Sequence, residues 1–181
     1  RDAIVTDAFT LNGQSQITYN GTLSKITANQ NKRSAYVQGF NVNIFLKLSK
    51  TLQLTSTINR VIGKIKNDAG DTTPLDHIPP TYGRTSLLYQ GKRFQAEAFS
   101  LYNGWKYLSD YNLGGEDNQQ YATADGMPAW MTLNVRTSFD VNKFLSLQVA
   151  CENILDRNYR YFASGISAPG RNFIATVRGR F

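Results

Sequence analysis

The feature that most constrains this chain is an alternation of period two that returns in stretch after stretch. Residues 131–141, MTLNVRTSFDV, set Met131, Leu133, Val135, Phe139 and Val141 against Thr132, Asn134, Arg136, Ser138 and Asp140. Residues 40–48 set Phe40, Val42, Ile44, Leu46 and Leu48 against Asn41, Asn43 and Lys47, with Phe45 as the exception. Residues 52–58 and 145–152 repeat the pattern, and residues 84–89 and 94–102 follow it more loosely. Successive side chains leave a strand on opposite sides, so strict alternation marks extended strands with two unlike faces. The expected fold class is therefore all-β.

The connections sharpen this. Strands are expected over about 1–5, 35–49, 51–66, 81–90, 92–105, 128–141, 144–157 and 171–181. Tight turns fall at 49–51, 90–92 and 142–143, and long connections at 6–34, 67–80, 106–127 and 158–170. The two kinds alternate strictly, which sends every long connection out of one end of the sheet. Structureless loops of about 20 residues are unusual in a compact soluble domain. Short turns at one end, long loops at the other and one apolar face are the layout of an outer-membrane barrel. The strands also have the ~9–11 residues that a tilted strand needs to cross a bilayer. The sequence thus predicts a transmembrane antiparallel up-and-down β-barrel, located in the cell outer membrane. A soluble sandwich would alternate too. Its outer face would be rich in Lys and Glu, whereas here the polar face carries Asn, Gln, Thr, Ser and Arg. On this reading an arginine at Val135 faces lipid and costs ~2–4 kcal/mol, while one at Thr132 faces the lumen and is far milder.

Composition removes other classes. The net charge of +7 could suit nucleic acid. Its cations, from Lys25 and Lys32 through Lys64 to Arg180, are scattered rather than gathered on one face, so no nucleic-acid partner is expected. One Cys excludes an intrachain disulfide, and one His leaves no His-based metal centre. Cys151 falls on the lipid-facing parity, as a small hydrophobe. His77, with Asp71 and Asp76 nearby, reads as a solvated loop residue rather than a ligand. There is no apolar run long enough for a transmembrane helix and no visible signal peptide. The chain opens on RDAIV without an initiator Met, as a fragment or a processed piece would. Nothing suggests an enzyme, a catalytic residue or a cofactor. Tyr36, Tyr82, Tyr89, Tyr102, Trp130, Phe139, Phe144 and Phe181 fall near expected bilayer boundaries, where amphipathic rings settle.

The final stretch is the most distinctive. NILDRNYR (153–160), APGRNF (168–173) and the closing Phe181 resemble the C-terminal signature of TonB-dependent outer-membrane receptors. PLDHIPPTYGRTSLLY (74–89) resembles the family's pattern before a descending strand. The resemblance implies a 22-stranded barrel around an N-terminal plug, of which this chain supplies about eight C-terminal strands. It implies active uptake of a scarce nutrient, such as a ferric siderophore or a haem-type iron source. The implied partners are the plug, the remaining barrel strands, TonB, the transported ligand, outer-membrane lipids and lipopolysaccharide, and the barrel assembly machinery. Phe173, Val177 and Phe181 would form the assembly signal. A passive porin-like or surface-binding barrel without energy coupling is the alternative.

Ligand contacts are sought in loops and lumen. Tyr107, Tyr111 and Tyr121 lie in a loop rich in Tyr and Trp, suited to ring packing with hydrogen bonds. Arg84, Arg136, Arg160 and Arg171, with Arg157, point inward or sit at the upper rim. Their forked guanidinium groups suit catecholate, carboxylate or phosphate. Each set has a plainer reading, as loop packing for the tyrosines and as pairing with Glu97, Asp140, Glu152 or Asp156 for the arginines.

Overall fold

The computed structural model describes residues 3–32, 34–66, 70–112 and 117–180. Its strands are β1 (Ala3–Ala8), β2 (Gln16–Tyr19), β3 (Thr22–Lys25), β4 (Thr27–Lys32), β5 (Ser34–Lys47), β6 (Leu52–Lys66) and β7 (Thr72–Pro74). Then follow β8 (Tyr82–Gln90), β9 (Phe94–Asn103), β10 (Lys106–Tyr107), β11 (Gly126–Met127), β12 (Trp130–Asp140), β13 (Leu145–Glu152) and β14 (Asn172–Gly179). The main sheet is antiparallel and runs β14-β13-β12-β9-β8-β6-β5, with β7 added beside the tip of β6. Every strand on the main path pairs with its neighbour in sequence, which is the up-and-down meander that the alternating turns imply.

Burial is inverted relative to a water-soluble sheet. Along β12, Thr132 and Asn134 are 1% and 4% exposed, while Met131, Leu133 and Val135 are 49%, 39% and 38% exposed. Water would drive the opposite arrangement. Register carries the apolar face across the sheet: Leu54 lies opposite Leu87, Leu87 opposite Ala98, Ala98 opposite Val135, Val135 opposite Cys151, and Cys151 opposite Phe173. The other face is hydrogen-bonded. Asn41 donates to Asn59, Asn43 donates to Asn41, and Thr57 Oγ1 donates to Asn43 at 2.8 Å. An apolar exterior with a polar interior is the solution a bilayer selects. No described helix is long and apolar enough to cross a membrane.

Three expectations need correction. Residues 6–34 are not a structureless loop. β1 pairs with β4, and β2 pairs with β3 inside that hairpin. Asn20–Gly21 turns the inner hairpin with φ of +49° and +78°, the geometry for which Asn-Gly is the preferred pair. A second Asn-Gly, at 12–13, turns the Leu11–Gln14 bridge. The second correction concerns Thr132, which is enclosed rather than bathed by a lumen, so an arginine there is not a mild change.

The strand expected over 144–157 also ends early, at Glu152. Asn153 takes φ +49°, and that turns the chain out of the sheet.

Candidate functional site: inner wall and loop cap

The inner wall carries one charged cluster. Alternation puts Arg84 of β8, Glu97 of β9 and Arg136 of β12 on the polar face. Glu97 accepts from Arg84 Nη2 at 2.5 Å through one oxygen and from Arg136 Nε and Nη2 at 2.5 Å through the other. Both guanidinium groups lie over the Phe99 ring, at 4.5 and 5.3 Å from its centroid. Arg84 and Arg136 are thus brought together, with their charge already answered by Glu97. Below them a trough of about 470 Å³ runs along Gln95, Ser138, Gln148 and Thr176.

Above the wall, three connections interlock. Asp117, 1% exposed, accepts His77 N at 2.8 Å and Asn112 N at 3.0 Å. Asn118 Nδ2 reaches Ala163 O at 3.0 Å. Lys106 is 4% exposed and donates to Ile78 O at 2.6 Å. Its ammonium lies 4.8 Å from the Phe162 ring centroid and 5.7 Å from that of Tyr111, and those two rings meet edge to face at 5.6 Å. Residues 70–81, 104–112, 117–129 and 153–171 therefore form one cap. Among the described residues no three metal-ligating side chains converge.

Burial lowers the Lys106 pKa from the ordinary 10.5, although Asp117, Asp110 and Asp76 pull it back up. Burial, then Asp117, raises that of Tyr111 above 10.0. The unfolded chain therefore holds the lysine proton to higher pH than the folded cap does. Stability gains as pH climbs through the folded Lys106 value toward 10.5, and Tyr111 opposes this from pH 10 upward. Between neutrality and pH 10 the cap should thus tighten, as a falling rate of proteolytic cleavage in residues 104–129, normalised to an unstructured peptide. In Lys106→Met that trend should vanish.

A recess opens beside the cap. Trp130 packs against Tyr159 and Tyr161 at 4.3 and 5.0 Å between centroids, so this tryptophan, expected in an interfacial girdle, joins a loop cluster instead. Burial foremost, and then Tyr161, raises the Tyr159 pKa, which keeps its phenol neutral. Arg160 Nη1 donates to Tyr121 O at 3.1 Å. Tyr121, Trp130, Tyr159 and Arg160, with Gln120, Thr123, Asn158 and Ser167, line a cavity of about 460 Å³.

The expected ligand residues thus separate. Tyr121 and Arg160 share the recess. Tyr107 is exposed and stacks on Trp105 at 5.8 Å. Tyr111 is 2% exposed and packs the cap, because its ring shields Lys106, so it is withdrawn as a ligand contact. Arg171 holds a turn, with Nε donating to Ile154 O at 2.9 Å and its backbone N to Asp156 Oδ1 at 2.8 Å. Phe173 and Val177 are exposed on the apolar face, 75% and 70%, whereas Phe181 lies outside the described residues. The NILD stretch proves to be a staple. Asn153 accepts from Arg157 N at 2.9 Å and donates to Arg157 O at 2.8 Å and Pro169 O at 3.2 Å. Asp117, Lys106, Trp130, Tyr159 and Tyr161 had no sequence signal as a set, since their partners lie tens of residues away.

A family model described as TonB dependent receptor-like, beta-barrel matches residues 2–154. Among solved structures, the copper transporter OprC superposes with a TM-score of 0.74 at 18% identity, over 99% of this chain and 27% of that one. A mutant of the ferric enterobactin receptor PfeA from Pseudomonas aeruginosa gives 0.64 at 17%, over 100% and 27%. The ferric-catecholate import receptor Fiu from E. coli K12 gives 0.58 at 18%, over 90% and 22%. At these identities the likeness is one of fold, and the chain spans about a quarter of their length. No curated protein matches at a significant level.

Proposed function

Since the chain belongs to the TonB-dependent receptor-like β-barrel family, we propose that it is the C-terminal wall and loop cap of an outer-membrane receptor for active uptake of a metal chelate. The family is one of outer-membrane receptors and transporters, so binding and passage, not covalent chemistry, are the expected work. A plug seated against the inner trough and TonB acting on that plug would supply the energy coupling. The observation that carries the ligand class is the recess of Trp130, Tyr159, Arg160 and Tyr121. Flat rings beside a guanidinium group suit an anionic aromatic chelate such as a ferric catecholate siderophore. A haem-type iron source shares that chemistry. The names of the similar structures, a copper transporter and receptors for ferric enterobactin and ferric catecholates, fit a metal cargo.

The test is equilibrium binding of a ferric catecholate to the full-length receptor, with cellular uptake measured with and without a protonophore. Arg160→Ala should weaken binding about 10- to 100-fold, the weight of a charge-assisted hydrogen bond, and the protonophore should stop uptake. Binding unchanged in Arg160→Ala would remove the recess as the site. Uptake that survives the protonophore would favour the passive barrel.

A further inference from the structure

The short-turn end of the sheet holds nearly all of the chain's excess charge. The β5–β6 turn brings Lys47 and Lys50 there, the β8–β9 turn Lys92 and Arg93, and the β12–β13 turn Lys143. The end of β14 adds Arg178 and Arg180. Within 46–52, 90–95, 139–146 and 176–180, Asp140 is the one acidic residue, so seven cations less one carboxylate leave +6 of the chain's +7. Dispersed along the sequence, these cations are gathered by the meander. Gln90 N donates to Thr51 O at 2.7 Å, Asp140 N to Arg93 O at 2.8 Å and Arg180 N to Phe144 O at 2.8 Å. The three turns and the last residues thus stand side by side along one rim. With two strands between them, neighbouring turns are about 10 Å apart, and the row spans about 25 Å.

All seven cations are exposed. Among the described residues none of them makes an ion pair, unlike Arg84 and Arg136 higher on the wall. Those on strands take the polar face: Lys47 has the parity of Asn41 and Asn43, and Arg178 lies opposite Ser146, which is 4% exposed. The outward positions at this end are apolar instead, with Leu48, Phe94, Phe139 and Phe144 exposed to lipid. Lys50, Lys92, Arg93 and Lys143 sit in the turns, beyond that belt. A folded protein partner would need an apolar centre to its interface, and this rim offers none. Unpaired cations at a regular spacing attract a hydrated polymer that repeats its anions. In an outer-membrane barrel the short turns face the periplasm. The polyanionic polymer of that compartment is peptidoglycan, whose stem peptides carry free carboxylates.

We propose that the short-turn rim docks on peptidoglycan, with Lys50, Lys92, Arg93 and Lys143 each taking stem-peptide carboxylates. The proposal goes beyond uptake and rests on the chain crossing an outer membrane, which the Val149 and Gln148 comparison below tests separately. If that contrast holds and peptidoglycan does not bind, the rim alone is refuted.

The experiment is co-sedimentation of the detergent-solubilised full-length receptor with purified peptidoglycan sacculi. The wild type should pellet with the sacculi in dilute buffer and be released by high salt. Lys50→Gln, Lys92→Gln and Lys143→Gln in one chain should weaken binding about tenfold, roughly twofold for each charge. The thermal midpoint and the binding of a ferric catecholate should stay unchanged in that variant. Lys92→Gln alone should show the twofold step should the triple variant fold poorly. Sacculi whose carboxylates have been amidated should capture the wild type as weakly as intact sacculi capture the triple variant. Equal pelleting of wild type and triple variant would overturn the rim as the site. Equal binding to amidated sacculi would overturn the carboxylates as its partner. Capture of the wild type by phosphatidylglycerol vesicles but not by sacculi would assign the row to lipid and overturn the proposal.

Discussion

An arginine at position 149 should destabilise the folded barrel by about 2–4 kcal/mol, whereas an arginine at position 148 should change stability by about 0.5 kcal/mol or less. The two positions are adjacent on β13 and leave it on opposite faces. Val149 is 56% exposed on the apolar side, opposite Thr137 and Ala175. Gln148 lies opposite Ser138 and Thr176 and lines the inner trough. Lipid offers an added guanidinium no partner, while a wet interior with Glu97 and Glu152 nearby offers both water and carboxylates. The measurement is urea-driven unfolding of the full-length receptor from lipid vesicles. Equal losses at the two positions would overturn the assignment of faces.

The second large effect is expected at Asn153. Replacing it with alanine removes three hydrogen bonds of a buried side chain and leaves φ +49° to a residue that adopts the left-handed region less readily than asparagine does. Together these should cost about 2–4 kcal/mol. The loss should appear as faster proteolysis within 154–171 and a lower thermal midpoint. Asn153→Gly tolerates the backbone and loses only the hydrogen bonds, so its cost should be smaller. If glycine were as damaging as alanine, or alanine harmless, the staple would not hold the last loop. Its sequence neighbour Asp156 belongs to the same device. Asp156 Oδ1 accepts Arg171 N, and a β-carbon at Gly170 would sit 2.8 Å from that oxygen. The signature around 153–173 is therefore read directly as geometry: Asn and Asp bind the two ends of a loop, and Gly170 leaves room for them.

How much was legible follows from how local each cause is. β12 and β13 could be read at sight because bilayer and lumen impose alternation residue by residue. The hairpin within 6–34 is written in its two Asn-Gly pairs, a local turn signal that the overall length of the connection masks. The enclosed Thr132 was not legible, since alternation states which face a side chain takes and not what lies over that face. The cap was hidden for a related reason. Asp117 meets His77 across 40 residues, and no period or spacing announces such a meeting. Arg84 and Arg136 were visible as inward cations, and Glu97 as a possible partner. That one carboxylate serves both depends on three strands coming into register.

The inverted burial has an evolutionary consequence. A lipid-facing position asks only that a side chain be apolar and fit among fluid chains, so Val149, Leu147 or Val177 can exchange with Ile, Phe or Leu at little cost. The inner face asks for named groups at fixed places, as Glu97 and Asn153 do. Substitutions should therefore accumulate like a ratchet on the outside and stall within, so that descendants of this wall keep their polar interior long after their surfaces have become strangers to one another.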